Sequence, residues 1–416
     1  MKILVVGAAG RIGRAVAWDL ARDAAVTQLG LLGRATDPLE RTRAWLGGGP
    51  RLRIHALDVE DPGLIPVLQQ YQAAVLTLPD RRSSYRCVEA AIAAGTHAVD
   101  VLEEFHRTPD LCEREGLRIP EGLSLREYGE ALHQRAEQRG VTVLSGLGFA
   151  PGLSNILLGH ALRALDEPQS AVARVGGIPT KQSAARHPLR YMVTWSFEHV
   201  LREYSVQVAI KKDGHLVEVE AGSERETFTF DRFGQRETLE CAITPGMPSF
   251  LHTRPTLAHF AEKTIRWPGH WQAIQTLKDC GLLSLSPVPF LDRAIVPRAF
   301  LSALLSPALV PQPADRDVCV LFNTTRGWSQ GRMLRIEHHL WHESRAESAL
   351  SAMMQVTGFP AALGARLLCQ GSIAQRGIVA PEDGIRDERV PWFLQELAAR
   401  RIFVEESRRM ESNQAD

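Results

Sequence analysis

The opening stretch, MKILVVGAAGRIGRAVAWDLARD, restricts the fold more than any other part of the sequence. Its apolar run Ile3–Val6 is typical of a buried strand in a parallel sheet. Glycines follow at positions 7, 10 and 13, and apolar residues then recur at helical spacing, at Ile12, Val16 and Leu20. A strand, a glycine-rich turn and a helix in this order predict the start of a doubly wound sheet that binds a dinucleotide.

The same alternation of strand and helix continues through the first third of the chain. Further strands are predicted at residues 26–32, 51–57, 73–78, 97–101 and 141–144, with helices that start near Asp37 and cover 83–94. An inserted segment, about residues 103–125, interrupts the pattern before the last strand. We therefore expect an α/β fold, with a Rossmann-type doubly wound parallel sheet over residues 1–150.

The turn after the first strand is predicted to bind a pyrophosphate, because glycines let the backbone approach and the helix N-terminus offers amides. Its predicted cofactor-binding residues are Gly7, Ala9, Gly10, Arg11, Ile12 and Gly13. Ligands also lie outside the carboxyl ends of the strands, which adds Asp58, Val59, Thr77, Leu78 and Pro79. Since glycines also form ordinary turns, the alternative is a doubly wound domain without a nucleotide.

Two arginines indicate which dinucleotide is bound. An NAD site has an acid about 20 residues past the glycines, whereas this chain has Arg34 there and Arg11 inside the turn. Two guanidinium groups suit the 2′-phosphate of NADP(H) better than a bare ribose. We predict NADP(H), with NAD(H) as the alternative cofactor if both arginines are solvated surface residues.

Composition excludes several classes of partner. The 48 basic and 48 acidic residues of the 416-residue chain balance, so no electrostatic surface for nucleic acid or an anionic membrane is expected. The six cysteines form no CxxC pair and predict reduced thiols in the cytoplasm. No apolar run reaches the roughly 18 residues of a membrane span.

Residues 151–345 predict an α+β domain built on a mixed sheet. Alternating residues flank Asp213-Gly214, which is a strong hairpin signal. Two more strands are expected at 316–325 and 331–341, turning at Gly327.

Several stretches resemble the saccharopine dehydrogenase superfamily, and most of all its lysine 6-dehydrogenase branch. They are GLGFAPGLSNILL (146–158), VGGIP (175–179), HPLRYMVTWSFEHVLREY (187–204), DRFG (231–234), KTIRWPGH (263–270), LKDCGL (277–282) and TGFPAALGARLLCQGSI (357–373). The resemblance implies a second domain for substrate binding and dimerisation at 151–345, a return of about 346–416 to the first domain, and a homodimer. It also implies oxidation of an amino acid's C–N bond, or reduction of the matching imine, with a nicotinamide and no metal.

Three features depart from that family. Saccharopine-forming reductases carry an Asp where this chain has Ala150, the residue after the second strand is Arg34 rather than an acid, and the segment at 103–125 is long. Two alternatives follow: a saccharopine-forming reductase, or a dinucleotide-binding protein without turnover whose second domain serves assembly.

KTIRWPGH contains the side chains that amine oxidation needs: a cation for the substrate carboxylate, a base and an apolar wall. We predict Arg266 as the carboxylate clamp, His270 as the base with Lys263 as runner-up, and Trp267 as the wall. The alternative is that the two cations protect a strand edge and that His270 caps the following helix.

Further substrate-binding candidates are Tyr191, Trp195 and Asn155. Tyr191 and Trp195 are four apart near a predicted helix and could instead be core aromatics, while Asn155 could be a simple helix-start residue. His338, His339 and His342 suggest a metal site, but neighbouring strand residues face opposite sides. We interpret them as surface or interface imidazoles and predict no metal.

Overall fold

The computed structural model describes residues 1–109, 117–345 and 347–411 of the chain. These residues form two compact units. The first combines 1–160 with 247–255 and 354–401, and the second combines 161–246 with 256–353 and the described residues from 402 on. Cys112 and residues 110–116 of the predicted insertion lie outside the described residues, as do 346 and 412–416.

A seven-stranded parallel sheet forms the centre of the first unit, in the order β17-β6-β5-β4-β1-β2-β3. The strands are β1 Lys2–Val6, β2 Gln28–Gly33, β3 Leu52–Ala56, β4 Ala73–Leu76, β5 His97–Asp100, β6 Thr142–Ser145 and β17 Gly377–Val379. The predicted Rossmann-type fold is confirmed, with each of its first six strands within two residues of the expected start. β17 extends the sheet and was not predicted as a strand.

Helices connect and flank these strands. They are α1 Arg11–Leu20, α2 Thr36–Trp45, α3 Leu64–Leu68, α4 Arg81–Ala94, α5 Leu125–Gln138, α6 Leu153–Arg163, α9 Phe250–Thr253, α12 Ala352–Cys369, α13 Pro381–Gly384 and α14 Arg389–Ala399. Their ends follow local rules: Asp80 caps α4 by accepting from the Ser83 amide, and Gly95 ends it in the left-handed region. α5, which the sequence analysis missed, begins with a capping box of Ser124 and Glu127.

A nine-stranded mixed sheet forms the second unit, and its main path runs β10-β11-β12-β7-β15-β16-β18, with β8 on β12 and β9 on β8. The strands are β7 Glu167–Pro179, β8 Gln207–Lys212, β9 His215–Glu220, β10 Glu226–Arg232, β11 Gln235–Ile243, β12 His259–Arg266, β15 Asp317–Ser329, β16 Arg332–Glu343 and β18 Glu405–Met410. β12 and β7 are parallel and the other pairs antiparallel, which confirms the mixed sheet. The strand β18 lies in this sheet, whereas the sequence had assigned 346–416 to the first domain.

One predicted turn is wrong and another is confirmed. Asp213 and Gly214 both have positive φ, as a two-residue hairpin of this type requires. The hairpin of β15 and β16 turns at Gln330 and Gly331, which also have positive φ, and not at Gly327. Gly327 lies within β15 at a register shift, where a Cβ would meet the Glu167 carbonyl oxygen at 2.5 Å. The glycine there allows close backbone approach rather than a turn.

The remaining described elements of the second unit are four helices, one 3₁₀ turn and a small hairpin. They are the helices α7 Lys181–Ala184, α8 Phe197–Glu203, α10 His270–Asp279 and α11 Pro297–Leu309, a 3₁₀ turn at Pro188–Arg190, and a hairpin of β13 Val288–Phe290 with β14 Arg293–Ile295. Within the described residues, no helix combines the length and the apolar character that crossing a bilayer requires.

Glu382 joins three separate chain segments of the first unit. Its buried carboxylate accepts hydrogen bonds from Ser249 at 2.8 Å, Thr253 at 2.6 Å and the Asn155 amide at 3.0 Å. Asn155 also donates to Ser249 and accepts from the Gly152 amide. Segments that are far apart in sequence are therefore fixed by one buried charge.

Glu382→Ala should lower the free energy of unfolding of the first unit by about 3 kcal/mol, because it leaves three donors, two of them buried, without their acceptor. Asp383→Ala, which removes a half-exposed partner of Arg254 one residue away, should cost under about 1 kcal/mol. Thermal or urea unfolding measures both. Equal losses in the two variants would contradict this role of Glu382.

Candidate functional site

The glycine turn after β1 is shaped by close backbone contacts. Gly7 has φ +82°, and a Cβ there would lie 2.8 Å from the Thr77 hydroxyl oxygen. A Cβ on Gly13 would lie 2.2 Å from the Gly7 carbonyl oxygen, so helix α1 starts in direct contact with the turn. Only glycines permit this approach. The turn has the form of a phosphate-binding loop.

The amides of the turn divide into two groups. Gly7 and Ala8 donate to the Leu32 carbonyl and Gly10 donates to the Gly7 carbonyl, so these three hold the turn together. Ile12 and Gly13 lie in the first turn of α1, where amides have no intrahelical acceptor. The exposed Gly10 has no side chain to block approach to this helix end. This cradle fits the pyrophosphate of a dinucleotide.

The predicted 2′-phosphate residues lie at the same edge of the sheet. Arg34 directly follows β2, is exposed, and has no ion-pair partner within the described part of the chain. Arg11 begins α1 and is also exposed. Asp58 and Val59 follow β3, where Asp58 accepts from the Glu60 amide. Arg34 is therefore free to bind a phosphate beside the ribose.

Thr77, Leu78 and Pro79 continue from β4 at the carboxyl edge. The Thr77 hydroxyl donates to the Val6 carbonyl at 2.7 Å, as its amide does at 3.0 Å. The sheet order changes direction between β1 and β4, which is the point where doubly wound sheets bind their ligands. The predicted cofactor residues that follow these strands lie at the carboxyl edge of the sheet, and their contact with a cofactor stays a prediction.

A buried polar network at the ends of β5 and β6 was not found from the sequence. His106 lies 2.8 Å from the Ser84 hydroxyl through Nε2 and 2.7 Å from the Ser145 hydroxyl through Nδ1. Ser84 also donates to Asp100. Burial raises the pKa of Asp100 to about 6 and lowers the pKa of His106 to about 3. The one feature of the sequence that could have indicated this network was the position of Asp100 and Ser145 at the ends of predicted strands.

A buried ion pair adjoins this network. Arg81 and Glu104 are 2.6 Å apart, and each side chain is only 1% exposed. The Tyr85 hydroxyl donates to Glu104 at 3.0 Å, and the pKa of Tyr85 is raised by burial and by Glu104. The two charges thus compensate each other, which burial requires.

In the second unit, Arg266 and His270 meet at one phenol. The Tyr204 hydroxyl accepts from Arg266 Nε at 2.8 Å and lies 3.1 Å from His270 Nε2. His270 Nδ1 lies 2.9 Å from the Leu189 carbonyl and donates to it, so Nε2 accepts from Tyr204. Burial, reinforced by Arg266, lowers the pKa of His270 to about 3, and burial raises that of Tyr204 to about 12. The imidazole is therefore neutral.

The Arg266 guanidinium is buried with no described carboxylate bonded to it, although Glu203 is close enough to act on it electrostatically. Its Nη1 donates to the Ile265 carbonyl, while Nη2 has no hydrogen-bond partner in the described ranges. The central carbon of the guanidinium, Cζ, lies 5.3 Å from the Tyr191 ring centre and 5.7 Å from the Tyr204 ring centre. No carboxylate of the described residues lies within 4 Å of it. The group is prepared to accept an anion, since an unpaired buried charge is costly.

The surroundings of this guanidinium are strained and incompletely bonded. Leu189 and Arg190 both have positive φ, at 59° and 49°, although neither is glycine. The Tyr191 and Thr194 hydroxyls are buried and lack a hydrogen-bond partner of normal geometry among the described residues. Strain of this kind concentrates at ligand clamps.

The other predicted residues of KTIRWPGH lie elsewhere. Lys263 forms an ion pair with Glu226 and donates to the Glu224 carbonyl at 2.8 Å. The Trp267 indole donates to the Pro179 carbonyl and packs in a cluster separate from that of Tyr191 and Tyr204. It also lines an open groove of about 440 Å³. The structure thus brings Arg266 and His270 together, but places Lys263 and Trp267 in other surroundings.

The remaining substrate candidates differ in availability. Trp195 is partly buried beside His199, with ring centres 5.1 Å apart, and borders the same apolar cluster as Tyr191. Asn155 is fully buried, and both hydrogens of its amide are donated to Ser249 and Glu382. Asn155 therefore connects separate chain segments by hydrogen bonds, and its contact with substrate stays a prediction.

The three histidines of EHHLWHE are buried, so their interpretation as surface imidazoles is wrong. His338 pairs with Glu406 of β18 at 3.1 Å and lowers the pKa of that carboxyl to about 2. His339 stacks on Phe322, with ring centres 4.9 Å apart. His342 lies opposite Cys319. The six-residue strand β18 pairs with His338 and His339, which the sequence pattern did not show.

Asp100→Asn should alter how stability depends on pH. Because burial raises the folded pKa from 3.8 to about 6, the proton bound by Asp100 favours folding at pH 4, and this contribution is lost as the pH rises through 6. The unfolding free energy of the variant relative to wild type should thus improve by up to about 3 kcal/mol between pH 4 and pH 7. Asp292→Asn, at an exposed hairpin tip, is the control, and a flat difference for Asp100→Asn would contradict the expectation.

Two family models match the chain. The saccharopine dehydrogenase NADP binding domain matches residues 3–144, and the saccharopine dehydrogenase C-terminal domain matches residues 148–402. The fold is shared with apo saccharopine dehydrogenase (L-Glu forming) from Saccharomyces cerevisiae, at a TM-score of 0.76 and 18% identity over 98% of this chain and 99% of that one.

Among curated proteins, carboxyaminopropylagmatine dehydrogenase from Synechocystis sp. is 23% identical over 401 residues, which is 92% of each chain. Saccharopine dehydrogenase [NADP(+), L-glutamate-forming] from Pyricularia oryzae is 28% identical over 181 residues, 39% of this chain and 38% of the relative. The resemblance read from the sequence is confirmed at the level of the superfamily. The chain belongs to the saccharopine dehydrogenase family of NAD(P)-binding oxidoreductases.

Proposed function

We propose that this protein is an NADP-preferring oxidoreductase that oxidises the C–N bond of a lysine-like amino acid, or reduces the matching imine. The observation that carries the proposal is the buried Arg266 guanidinium, which has a free Nη2 and no carboxylate within 4 Å among the described residues. An amino-acid carboxylate would supply the missing negative charge.

Arg266 then anchors the substrate carboxylate, and the buried Tyr191 hydroxyl beside Thr194 offers a second donor. A nicotinamide dinucleotide bound at the glycine turn supplies the hydride acceptor for amine oxidation, or the hydride donor for imine reduction. The hydride leaves or joins the carbon that bears the nitrogen, so a carbon–hydrogen bond is exchanged for a carbon–nitrogen double bond.

The proton of the substrate amine needs an acceptor. In our proposal the Tyr204 oxygen takes this proton while its own proton passes to His270 Nε2, 3.1 Å away. The lowered pKa of His270 keeps Nε2 unprotonated before the reaction. Lys263 is not used in this proposal, because Glu226 holds its ammonium group.

The names of the relatives support this substrate class. Carboxynorspermidine synthase from Vibrio alginolyticus is 22% identical over 309 residues, 69% of this chain and 70% of the relative. Saccharopine, carboxyaminopropylagmatine and carboxynorspermidine all carry a carboxylate and an amine nitrogen. Homodimer formation and a cytoplasmic location stay predictions from the sequence.

The direct test incubates the purified protein with NADP(H) or NAD(H) and a panel of basic and acidic amino acids and keto acids, while cofactor absorbance is followed. We expect turnover with a lysine-like compound. Dinucleotide binding by calorimetry without turnover of any compound would favour a non-catalytic protein instead.

Arg34→Ala should weaken NADP(H) binding by roughly 10- to 100-fold, because one charge-assisted contact to the 2′-phosphate is lost. NAD(H) binding should change less than about threefold, since NAD(H) has no such phosphate. The control is Arg139→Ala, which removes an exposed arginine just before the amino end of β6, at the opposite edge of the sheet. Isothermal calorimetry with both cofactors measures the affinities, and equal weakening of both would refute the role of Arg34.

Arg266→Ala should cost about 2–4 kcal/mol of transition-state stabilisation, measured as kcat/KM. The kcat/KM of Arg266→Lys should lie between those of wild type and Arg266→Ala, because lysine keeps the charge but loses the planar donor pair. With a substrate analogue that lacks the carboxylate, wild type and variants should react alike. Circular dichroism excludes misfolding, and a full penalty that persists with the carboxylate-free analogue would remove Arg266 from the substrate site.

A further inference from the structure

We infer that His106, together with Ser84 and Ser145, positions the loop 101–109 as the wall of the dinucleotide site at its nicotinamide end. The inference rests on the proposed function insofar as a dinucleotide binds at the carboxyl edge of the first unit's sheet. It gives a role to the start of the segment at 103–125, to which the sequence assigned none.

The location of the loop follows from the sheet order. A dinucleotide spans both halves of a doubly wound sheet across the point where strand order reverses, which here lies between β1 and β4. Arg34 after β2 assigns the 2′-phosphate, and thus the adenosine half, to the β1-β2-β3 side. The nicotinamide half then lies over β4, β5 and β6, where loop 101–109 leaves the end of β5 at Asp100.

Hydrogen bonds connect the ends of β5 and β6 and hold the start of this loop against them. The Leu147 amide donates to the Asp100 carbonyl at 2.7 Å, and the Leu102 amide donates to the Asp100 carboxylate at 2.9 Å. The Ser145 hydroxyl donates to the Glu104 carbonyl at 2.9 Å. The loop therefore has a defined path over the ends of two adjacent strands.

The His106 ring connects the loop to two further elements. It lies between Ser84 of α4 and Ser145 of β6, and its centre is 4.4 Å from the ring centre of Tyr85. Ser84 and Ser145 donate their single hydrogens to Asp100 and to the Glu104 carbonyl, so a neutral imidazole donates a hydrogen bond to one of them and packs against the other. The ring is fully buried and is thus a bridge, not a group that titrates against solvent.

A second anchor acts on the same loop independently of His106. The Glu104 carboxylate is held by Arg81 and by the Tyr85 hydroxyl, so Glu104 is fixed by its side chain as well as its carbonyl. Buried ion pairs contribute little net stability compared with apolar packing, but they fix geometry. So many polar contacts on one short loop favour a positioning role over a purely stabilising one.

The test compares two residues of one strand. Ser145→Ala removes the His106 and Glu104 contacts at the carboxyl end of β6, and Thr142→Val removes a hydroxyl that donates to the Gln375 carbonyl at its amino end. His106→Leu removes the bridge itself, and His106→Gln tests rescue by a polar side chain. Calorimetry measures the affinity of each variant for NADP(H) and for adenosine 2′,5′-bisphosphate, which has no nicotinamide.

We expect Ser145→Ala and His106→Leu to weaken NADP(H) binding by about tenfold and to change adenosine 2′,5′-bisphosphate binding less than about twofold. His106→Gln should recover part of the loss, and Thr142→Val should resemble wild type. The fluorescence of bound NADPH, which reports on the surroundings of its nicotinamide ring, should shift in the same variants.

Equal weakening of both ligands would show a folding effect and overturn the positioning role, as would unchanged NADP(H) binding in Ser145→Ala. If His106→Leu does not fold, Ser145→Ala and Ser84→Ala decide the matter. Failure of wild type to bind either ligand would instead overturn the assignment of the dinucleotide site, which is a separate and distinguishable result.

Discussion

The contact between Gly13 and the Gly7 carbonyl is the constraint on which the first unit's site depends. Any side chain at Gly13 would displace helix α1 from the end of β1, because its Cβ would lie 2.2 Å from that oxygen. With the glycine, the first-turn amides of α1 lie at the carboxyl edge of the sheet, next to the end of β1. These backbone amides at the point of strand reversal can therefore hold a phosphate, and Arg11 is the one charged side chain of the turn.

Two kinds of buried charge appear in this molecule, and they suggest different roles. Glu382 and the Arg81–Glu104 pair are each compensated within the first unit, so they fix the geometry of the chain. Arg266 has only a phenol and a carbonyl as partners in the described residues. Since desolvation of a guanidinium is costly and no described carboxylate lies within 4 Å of Arg266, this charge is the one suited to bind a ligand.

Local signals explain which parts of the fold could be predicted. The turn after β1 and the hairpin at Asp213-Gly214 follow from the conformational needs of a few adjacent residues. β17 was missed because it is three residues long and pairs with β6, which lies more than two hundred residues earlier. The turn predicted at Gly327 was wrong for a related reason. This glycine allows close contact with β7, a strand that is distant in sequence.

Only part of the candidate substrate site could be predicted from the sequence, because residues that are adjacent in the chain have different neighbours in the structure. Arg266 and Trp267 are neighbours, yet they pack into different clusters, as consecutive residues at the end of a strand do. The partner that connects Arg266 to His270 is Tyr204, 62 residues before Arg266. Only the mixed sheet and helix α8 bring the three together. A contiguous motif therefore identifies the chemistry that a chain carries, but the fold decides which of its side chains share a site.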